Sequence, residues 1–388
     1  MRSRRSKIFV DAEHLVLEHV SGIAQYTVQL VAALRDEVSD SNRDGRRFEL
    51  GLGTWYRRFD RLQRFPLDGV ARRRVPVPVS VTGLLKEHRL LPPIDLLMGR
   101  AVYLFPNYSS WPVLRSPAIV FVYDLSFIRC PEYLAPKNHA FMLAQVPRSI
   151  RRATKVLTVS EFSRTEIIDE FGVDPDDVFV CQPGVDPSSF RRRPTDEIEV
   201  VKARYGITGD YILFVGTIEP RKGITELLHA YERLPADVRD RYGLLLVGGR
   251  GWLDDDIRAT TTRLRRAGNR VLRPDDFVHD RDLPALYSGA ALFVAPSLYE
   301  GFGIPPLEAM ACGVPVITSN NSSLPEVVGD AAVMIDPRDP DELAGAIEKV
   351  LADDQLRRSL AVAGRERAGR FSYRRSARQL LNVIEEIA

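Results

Sequence analysis

Residues 290–319 read AALFVAPSLYEGFGIPPLEAMACGVPVITS. Ala291 to Ala295 has the character of a short buried strand, and Ser297 to Phe302 is a loop at its carboxyl end. Gly303 opens a helix whose first turn accepts Pro305 and Pro306, because N–H groups there have no partner within the helix. Cys312-Gly313 ends that helix, and VPVITS is the next strand. Strand, loop, helix and strand in such close succession make one unit of a parallel sheet.

The same alternation extends to both sides. Upstream, YILFVGTI (211–218), GLLLVGG (243–249) and a short strand near 271–272 belong to one series, with a helix from about Gly223 to Arg233. The Pro-rich, polar stretch PGVDPSSFRRRPTD (183–196) reads as a linker. Before it an independent series runs through KIFVDAE (7–13), a helix from Ile23 to Leu34, then FELGLGTW, VYLFPNY, AIVFVYDL and KVLTVS, with helices at 137–152 and 161–171. The last helix, 373–387, carries Ala377, Leu380, Leu381, Ile384 and Ile387 at 3–4 spacing. The expected fold class is α/β, with two doubly wound Rossmann-like domains. The first is 1–190, the second 191–373, and helix 374–388 packs back on the first. Open parallel sheets bind ligands outside the carboxyl ends of their strands, so two facing domains make a cleft.

Composition narrows the function classes. The 388 residues are 45% hydrophobic and 27% charged, an ordinary globular mix. No apolar run approaches ~18 residues, so no transmembrane helix is expected. Asp11 and Glu13 interrupt the N-terminal apolar stretch too early for a signal peptide. Cys130, Cys181 and Cys312 are too few and too scattered for a disulfide framework, and the six His show no metal-ligand spacing. Asp254-Asp255-Asp256 fits a helix start better than a metal site. No metal and no cofactor are expected. Residues 1–160 hold 25 Lys/Arg against 14 Asp/Glu, including Arg2, Arg4, Arg5, Arg46, Arg47, Arg57, Arg58, Arg72, Arg73, Arg74, Arg148, Arg151 and Arg152. Such a half suits anionic lipid or an anionic acceptor, or is simply a solvated Arg-rich surface. No nucleic-acid recognition motif accompanies it.

Two constellations carry chemistry. In the first, Glu300 lies on the strand-end loop and Glu308 in the second helical turn, with Gly301 and Gly303 allowing close approach of backbone to a ligand. A helix N-terminus behind a Gly-rich loop favours anions, and a helix glutamate can accept hydrogen bonds from ribose hydroxyls. Taken alone, Glu308 reads as a solvated carboxylate at a helix start. The second is GTIEPRKGITELL (216–228), where Arg221 and Lys222 stand between a strand end and a helix start. Cations are disfavoured there unless an anion binds, and a diphosphate is such an anion. An exposed Arg-Lys pair is the plain alternative.

Glu300-GFGIPPL-Glu308 with its following GVPVI, the EPRKG loop, DLPALYSGA (282–290), VSEFSR (159–164), PGVD (183–186) and SGIAQYT (21–27) resemble retaining glycosyltransferases. The family is the one containing bacterial mannosyltransferases, sucrose synthase and sucrose-phosphate synthase (glycosyltransferase family 4, group 1). The resemblance implies the GT-B fold and a hexosyltransferase that needs no metal. By that resemblance Glu308 holds the donor ribose, Glu300 contacts the transferred sugar, and Arg221 and Lys222 neutralise the leaving diphosphate. The backbone of Phe302, Gly303 and Ile304 lies against sugar and phosphates, Phe277-Val278 holds the nucleobase, and Gly22 approaches the diphosphate. Tyr123-Asp124 stands where relatives have His-Asp beside the transferred sugar. Tyr123 can donate to a sugar hydroxyl but lacks the imidazole's proton chemistry.

The implied partners are a nucleotide sugar, with GDP-mannose first and UDP- or dTDP-linked sugars as alternatives, and a polysaccharide, glycolipid or small-molecule acceptor. The implied location is the cytoplasm, with peripheral contact on the inner face of the membrane as an option. The alternative function is a catalytically impaired nucleotide-sugar-binding protein or partner subunit. A nicotinamide-dependent oxidoreductase is disfavoured, because VDAEHLVLEHVSG replaces GxGxxG after the first strand.

Overall fold

The computed structural model describes residues 6–17, 22–43, 48–54, 59–75, 91–249, 251, 253–274 and 278–388. The chain divides into two compact units. Unit 1 comprises 1–125, 137–184 and 372–388, and unit 2 comprises 126–136 and 185–371.

Unit 1 is built on seven parallel strands: β1 (Ser6–Asp11), β2 (Phe48–Thr54), β3 (Ala71–Arg74), β4 (Val102–Phe105), β5 (Ala118–Phe121), β6 (Lys155–Thr158) and β7 (Val178–Val180). Their order is β3-β2-β1-β4-β5-β6-β7. The strands read as apolar runs because helices cover both faces, as all-parallel sheets require. β3 has the sequence ARRR, which no apolar pattern marks as a strand. It is an edge strand, where charge is tolerated and blocks further pairing. Arg73 there is 2.8 Å from Glu49, and the Arg74 guanidinium sits 6.0 Å from the Phe59 ring.

The first helix runs Gly22–Arg43, longer than its apolar stripe indicated, because the added turns, 35–43, are largely polar. Helix Tyr373–Ile387 packs against it, burying Ala377, Leu380, Leu381 and Ile384. The contact is fixed by Glu37, a buried carboxylate that accepts from Arg374 Nε (2.7 Å) and Arg378 Nε (3.0 Å).

Unit 2 carries six parallel strands: β8 (Asp210–Val215), β9 (Tyr242–Val247), β10 (Val271–Leu272), β11 (Leu292–Ala295), β12 (Val316–Ser319) and β13 (Val333–Ile335), in the order β10-β9-β8-β11-β12-β13. Helices Ile224–Arg233 and Pro340–Ala352 contribute Leu227, Leu228, Leu343 and Ile347 to its core. From β8 the chain proceeds outward to β9 and β10, then returns to place β11 on the other side of β8. That reversal creates a switch point between β8 and β11, the place where open α/β sheets take ligands.

Candidate active site

Two loops leave the carboxyl ends of β8 and β11. After β8 the chain reaches a 3-10 turn at Pro220–Lys222, then the helix Ile224–Arg233. After β11 it passes through 296–303 into the helix Ile304–Ala311, with Pro305 and Pro306 in the first turn as expected. Gly223 permits the two loops to meet. Its φ is +67°, and a Cβ there would lie 1.8 Å from the Pro296 carbonyl oxygen, so no other residue fits. Leu298 N donates to Arg221 O at 2.8 Å, which stitches the loops together.

This approach brings Lys222 to Glu300, though 78 positions separate them. Lys222 Nζ lies 2.6 Å from Glu300 Oε1, and the two side chains are 16% and 13% exposed. Ser297 Oγ donates to the same oxygen at 2.8 Å. Burial alone would raise the Glu300 carboxyl. The charges of Lys222 and Arg221, with hydrogen bonds from Lys222 and Ser297, outweigh burial and hold it below its ordinary value.

Arg221 is tied more tightly than its place in the sequence suggested. It donates to Glu219 Oε1 from Nε (3.1 Å) and Nη2 (2.8 Å), and to Tyr299 O from Nη1 (2.7 Å). Its Nη1 is 3.6 Å from Glu300 Oε2. Arg221 thus braces the loop that carries Glu300 while adding positive charge beside it.

Ser322 and Ser323 hold that loop from the β12 side. Glu300 N donates to Ser322 Oγ (3.1 Å), and Ser323 Oγ lies 2.9 Å from both Glu300 O and Phe302 O. Phe302 is buried, its ring edge-on to Phe371. Gly303 caps the helix at φ +109°. With Pro305 and Pro306 lacking N–H, the main-chain donors left at this helix start are those of Gly303 and Ile304.

Glu308 sits in the same unit, half-buried. Tyr287 Oη donates to its Oε2 at 2.8 Å. Burial pushes this carboxyl up to about 8, with the Tyr287 hydrogen bond opposing the rise and Asp280 adding to it. Val278 is half-buried near the start of the 3-10 turn Asp280–Asp282; Phe277 lies outside the described residues. Glu219, Ser297, Tyr287, Ser322 and Ser323 were not singled out in the sequence. A polar run NNSS (320–323) directly after β12 was the available signal for two of them.

Gly22, Tyr123 and Asp124 belong to unit 1. Gly22 is exposed and begins the helix Gly22–Arg43, with open space where a Cβ would stand. Asp124 is half-buried just beyond β5. Tyr123 is 8% exposed, and its hydroxyl donates to Pro106 O at 2.9 Å. Its ring makes edge contacts with Tyr26 and Tyr108. Its hydroxyl proton is thus given to the main chain. The reason is burial, which forces a polar atom to find an internal partner.

Asp255 and Asp256 occupy the first turn of the helix Asp255–Arg266, after Asp254. No group of three or more His, Cys, Asp or Glu among the described residues is placed to hold a metal ion. Of the basic residues in the first half, Arg151 and Arg152 are exposed at the end of the helix Pro136–Arg152; Arg2, Arg4, Arg5, Arg46, Arg47, Arg57 and Arg58 lie outside the described residues. No helix among the described residues is long and apolar enough to cross a membrane.

Comparison with known proteins bears on this geometry. Residues 198–367 match the family model described as glycosyl transferases group 1, and residues 20–189 match that of glycosyltransferase family 4. The O-antigen chain mannosyltransferase B of Escherichia coli is 40% identical over 284 residues, covering 73% of this chain and 74% of that protein. This chain belongs to the group 1 glycosyltransferases. Another relative, the MMP alpha-(1->4)-mannosyltransferase of Mycolicibacterium hassiacum, is 33% identical over 244 residues, 62% of this chain and 56% of that protein. Among solved structures, Anabaena HepE in complex with UDP and glucose aligns with a TM-score of 0.73 at 19% identity, over 98% of this chain and all of that one. The fold of this glycosyltransferase is GT-B, two parallel α/β sheets with flanking helices.

Proposed function

We propose that this glycosyltransferase is retaining and metal-independent, and that it moves a hexose, mannose by preference, from a nucleotide sugar to a polysaccharide, glycolipid or small-molecule acceptor. One observation carries the assignment: a buried Lys222–Glu300 pair, 2.6 Å apart and flanked by Arg221, at the switch point between β8 and β11. The choice of mannose, with GDP-mannose as donor, is supported by the 40% identity to an O-antigen mannosyltransferase. The basic first half supports an anionic or lipid-linked acceptor and peripheral membrane contact from the cytoplasm.

Breaking the bond between the anomeric carbon and the phosphate oxygen sends the electron pair to the diphosphate and leaves positive charge on the carbon. Lys222, Arg221 and the main-chain N–H groups of Gly303 and Ile304 meet the negative charge, the type of term that is often largest in catalysis. With that charge already matched, the reaction asks for no divalent ion. Glu300, held ionised, accepts from a sugar hydroxyl and fixes the ring. Glu308 takes the ribose, with Val278 on the base side. The acceptor hydroxyl attacks from the face the leaving group vacates, and its proton passes to the departing phosphate oxygen. No enzyme nucleophile of the kind used by retaining hydrolases takes part. Asp124 is assigned to the catalytic group, and Tyr123 to the acceptor side.

A screen of GDP-, UDP- and dTDP-sugars against oligosaccharide acceptors tests this, with product anomeric configuration read by NMR. Transfer from GDP-mannose with retention is expected. An inverted product refutes the retaining mechanism, and no turnover or saturable binding with any sugar nucleotide refutes the assignment. The buried hydroxyl of Tyr123 favours a second reading, a nucleotide-sugar-binding protein without transfer. Saturable donor binding with no transfer to any acceptor extract would select it.

A further inference from the structure

Tyr287 is fully buried on the short helix Leu283–Gly289. Its ring is fixed between Phe190, edge-on at 6.2 Å, and Phe293, tilted at 5.5 Å. The hydroxyl therefore has one direction, and it donates to Glu308 Oε2 at 2.8 Å. Glu308 is only half-buried, and among the described residues its Oε1 takes no hydrogen bond. The carboxyl thus has one oxygen anchored by the protein and one left as an acceptor.

We propose that Tyr287 is a positioning residue for donor binding: it locks the rotation of the Glu308 carboxyl so that the free oxygen receives the ribose hydroxyls. This rests on Glu308 as the ribose acceptor under the proposed function. Holding one oxygen in place before the ligand arrives removes an ordering cost from binding. The ring stays put in Tyr287→Phe, so only the hydroxyl's contribution is lost.

The groups around the carboxyl give the proposal a distinctive signature. Tyr287 and Asp280 face Glu308, as does Cys312 one turn along its own helix; Arg192 and Arg193 lie near the Cys312 sulfur. Tyr287 itself is held well above its ordinary value by burial and by Glu308, so it remains a donor throughout the working range. Glu308, pushed up to about 8, binds a proton at neutral pH. A diol donates two hydrogen bonds and prefers the ionised carboxylate. Binding therefore releases a proton and tightens as pH rises toward 8. The Tyr287 hydrogen bond favours the ionised form, so its removal moves this tightening to higher pH.

The test is calorimetric titration of GDP and UDP, from pH 6 to 9, into the full-length wild type, Tyr287→Phe and Glu308→Ala. Taking the nucleotide the wild type binds more tightly, Tyr287→Phe should weaken binding about tenfold at pH 7, with the loss narrowing by pH 9. In transfer assays the donor KM should rise while kcat changes less than twofold, and the melting temperature should stay close to wild type. A wild-type pH dependence of nucleotide binding in Tyr287→Phe overturns the positioning role even if KM shifts. Unchanged affinity in Glu308→Ala overturns the ribose reading beneath it, and so does failure of the wild type to bind either nucleotide.

Discussion

Replacing Lys222 with Ala removes the cation closest to Glu300 and, under the proposed chemistry, a principal group facing the leaving diphosphate. Both side chains of the pair are more than four-fifths buried, so bulk water screens them little. Two unit charges ~4 Å apart attract by ~4 kcal/mol at an effective dielectric of ~20. Removing one preorganised electrostatic group from an active site costs ~2.7–4 kcal/mol, or ~100- to 1,000-fold in kcat. Arg221 remains 3.6 Å from Glu300 and keeps part of the field, so the lower end of that range is expected. A second effect follows from the carboxyl. Lys222 is the foremost of the groups that hold Glu300 below its ordinary value against burial. Without it the carboxyl rises, and the acid limb of the pH–rate profile moves to higher pH. Initial rates at saturating donor, from pH 5 to 9, measure both effects. A kcat within twofold of wild type, or an unmoved acid limb, refutes the assigned role.

Gly223→Ala must relieve a Cβ 1.8 Å from Pro296 O at φ +67°; left-handed strain alone costs ~1–3 kcal/mol, so differential scanning calorimetry should record a melting temperature lower by several degrees, with activity falling at least tenfold, and an unchanged melt would mean the loops do not meet this closely. Tyr123→Phe leaves Pro106 O without its donor and should cost ~1–3 kcal/mol in urea denaturation, yet keep transfer within threefold; a tenfold loss of rate would show that the hydroxyl does reach substrate. Glu37→Gln should lower the melting temperature at pH 7. Burial raises the Glu37 carboxyl, but hydrogen bonds from Arg378 and Arg374 hold it below 4.5, so its contribution is present above 4.5 and is lost as pH falls through the depressed value; melts of the two proteins should converge in acid, and a constant gap would exclude this ionisation as the cause.

Much of the fold is legible in the residues because parallel strands buried on both faces announce themselves. Leu292–Ala295 is an unbroken apolar run and Val316–Ser319 opens on two β-branched apolar residues after Gly313 and Pro315, and both strands stand within a residue or two of where the pattern put them. β3 is not legible, since an edge strand of three arginines carries no apolar signal. β7 and β13 have three residues each, too few for a periodicity to register. The partnership of Lys222 and Glu300 lay half in view: each is marked by its strand-end position, but their contact depends on β11 pairing with β8, which no local pattern encodes. Glu219 and Tyr287 stayed hidden because they are internal counter-groups, recognisable only once their partners have coordinates. Tyr123 could be seen as a departure from the family's His; the destination of its proton could not.

Unit 1 is assembled from non-contiguous stretches, with all of 185–371 lying between its main body and the helix Tyr373–Ile387 that covers Gly22–Arg43. During translation this has a temporal cost. Once residue 184 has emerged, the ribosome must add roughly 200 more residues, about 10–40 s at elongation rates of ~5–20 per second, before the covering helix exists. For that interval the nascent first unit presents an uncovered apolar stripe and an unneutralised Glu37, and unit 2 receives its last residue, 371, before unit 1 is complete. Co-translational folding of the first-begun unit is therefore obliged to finish last.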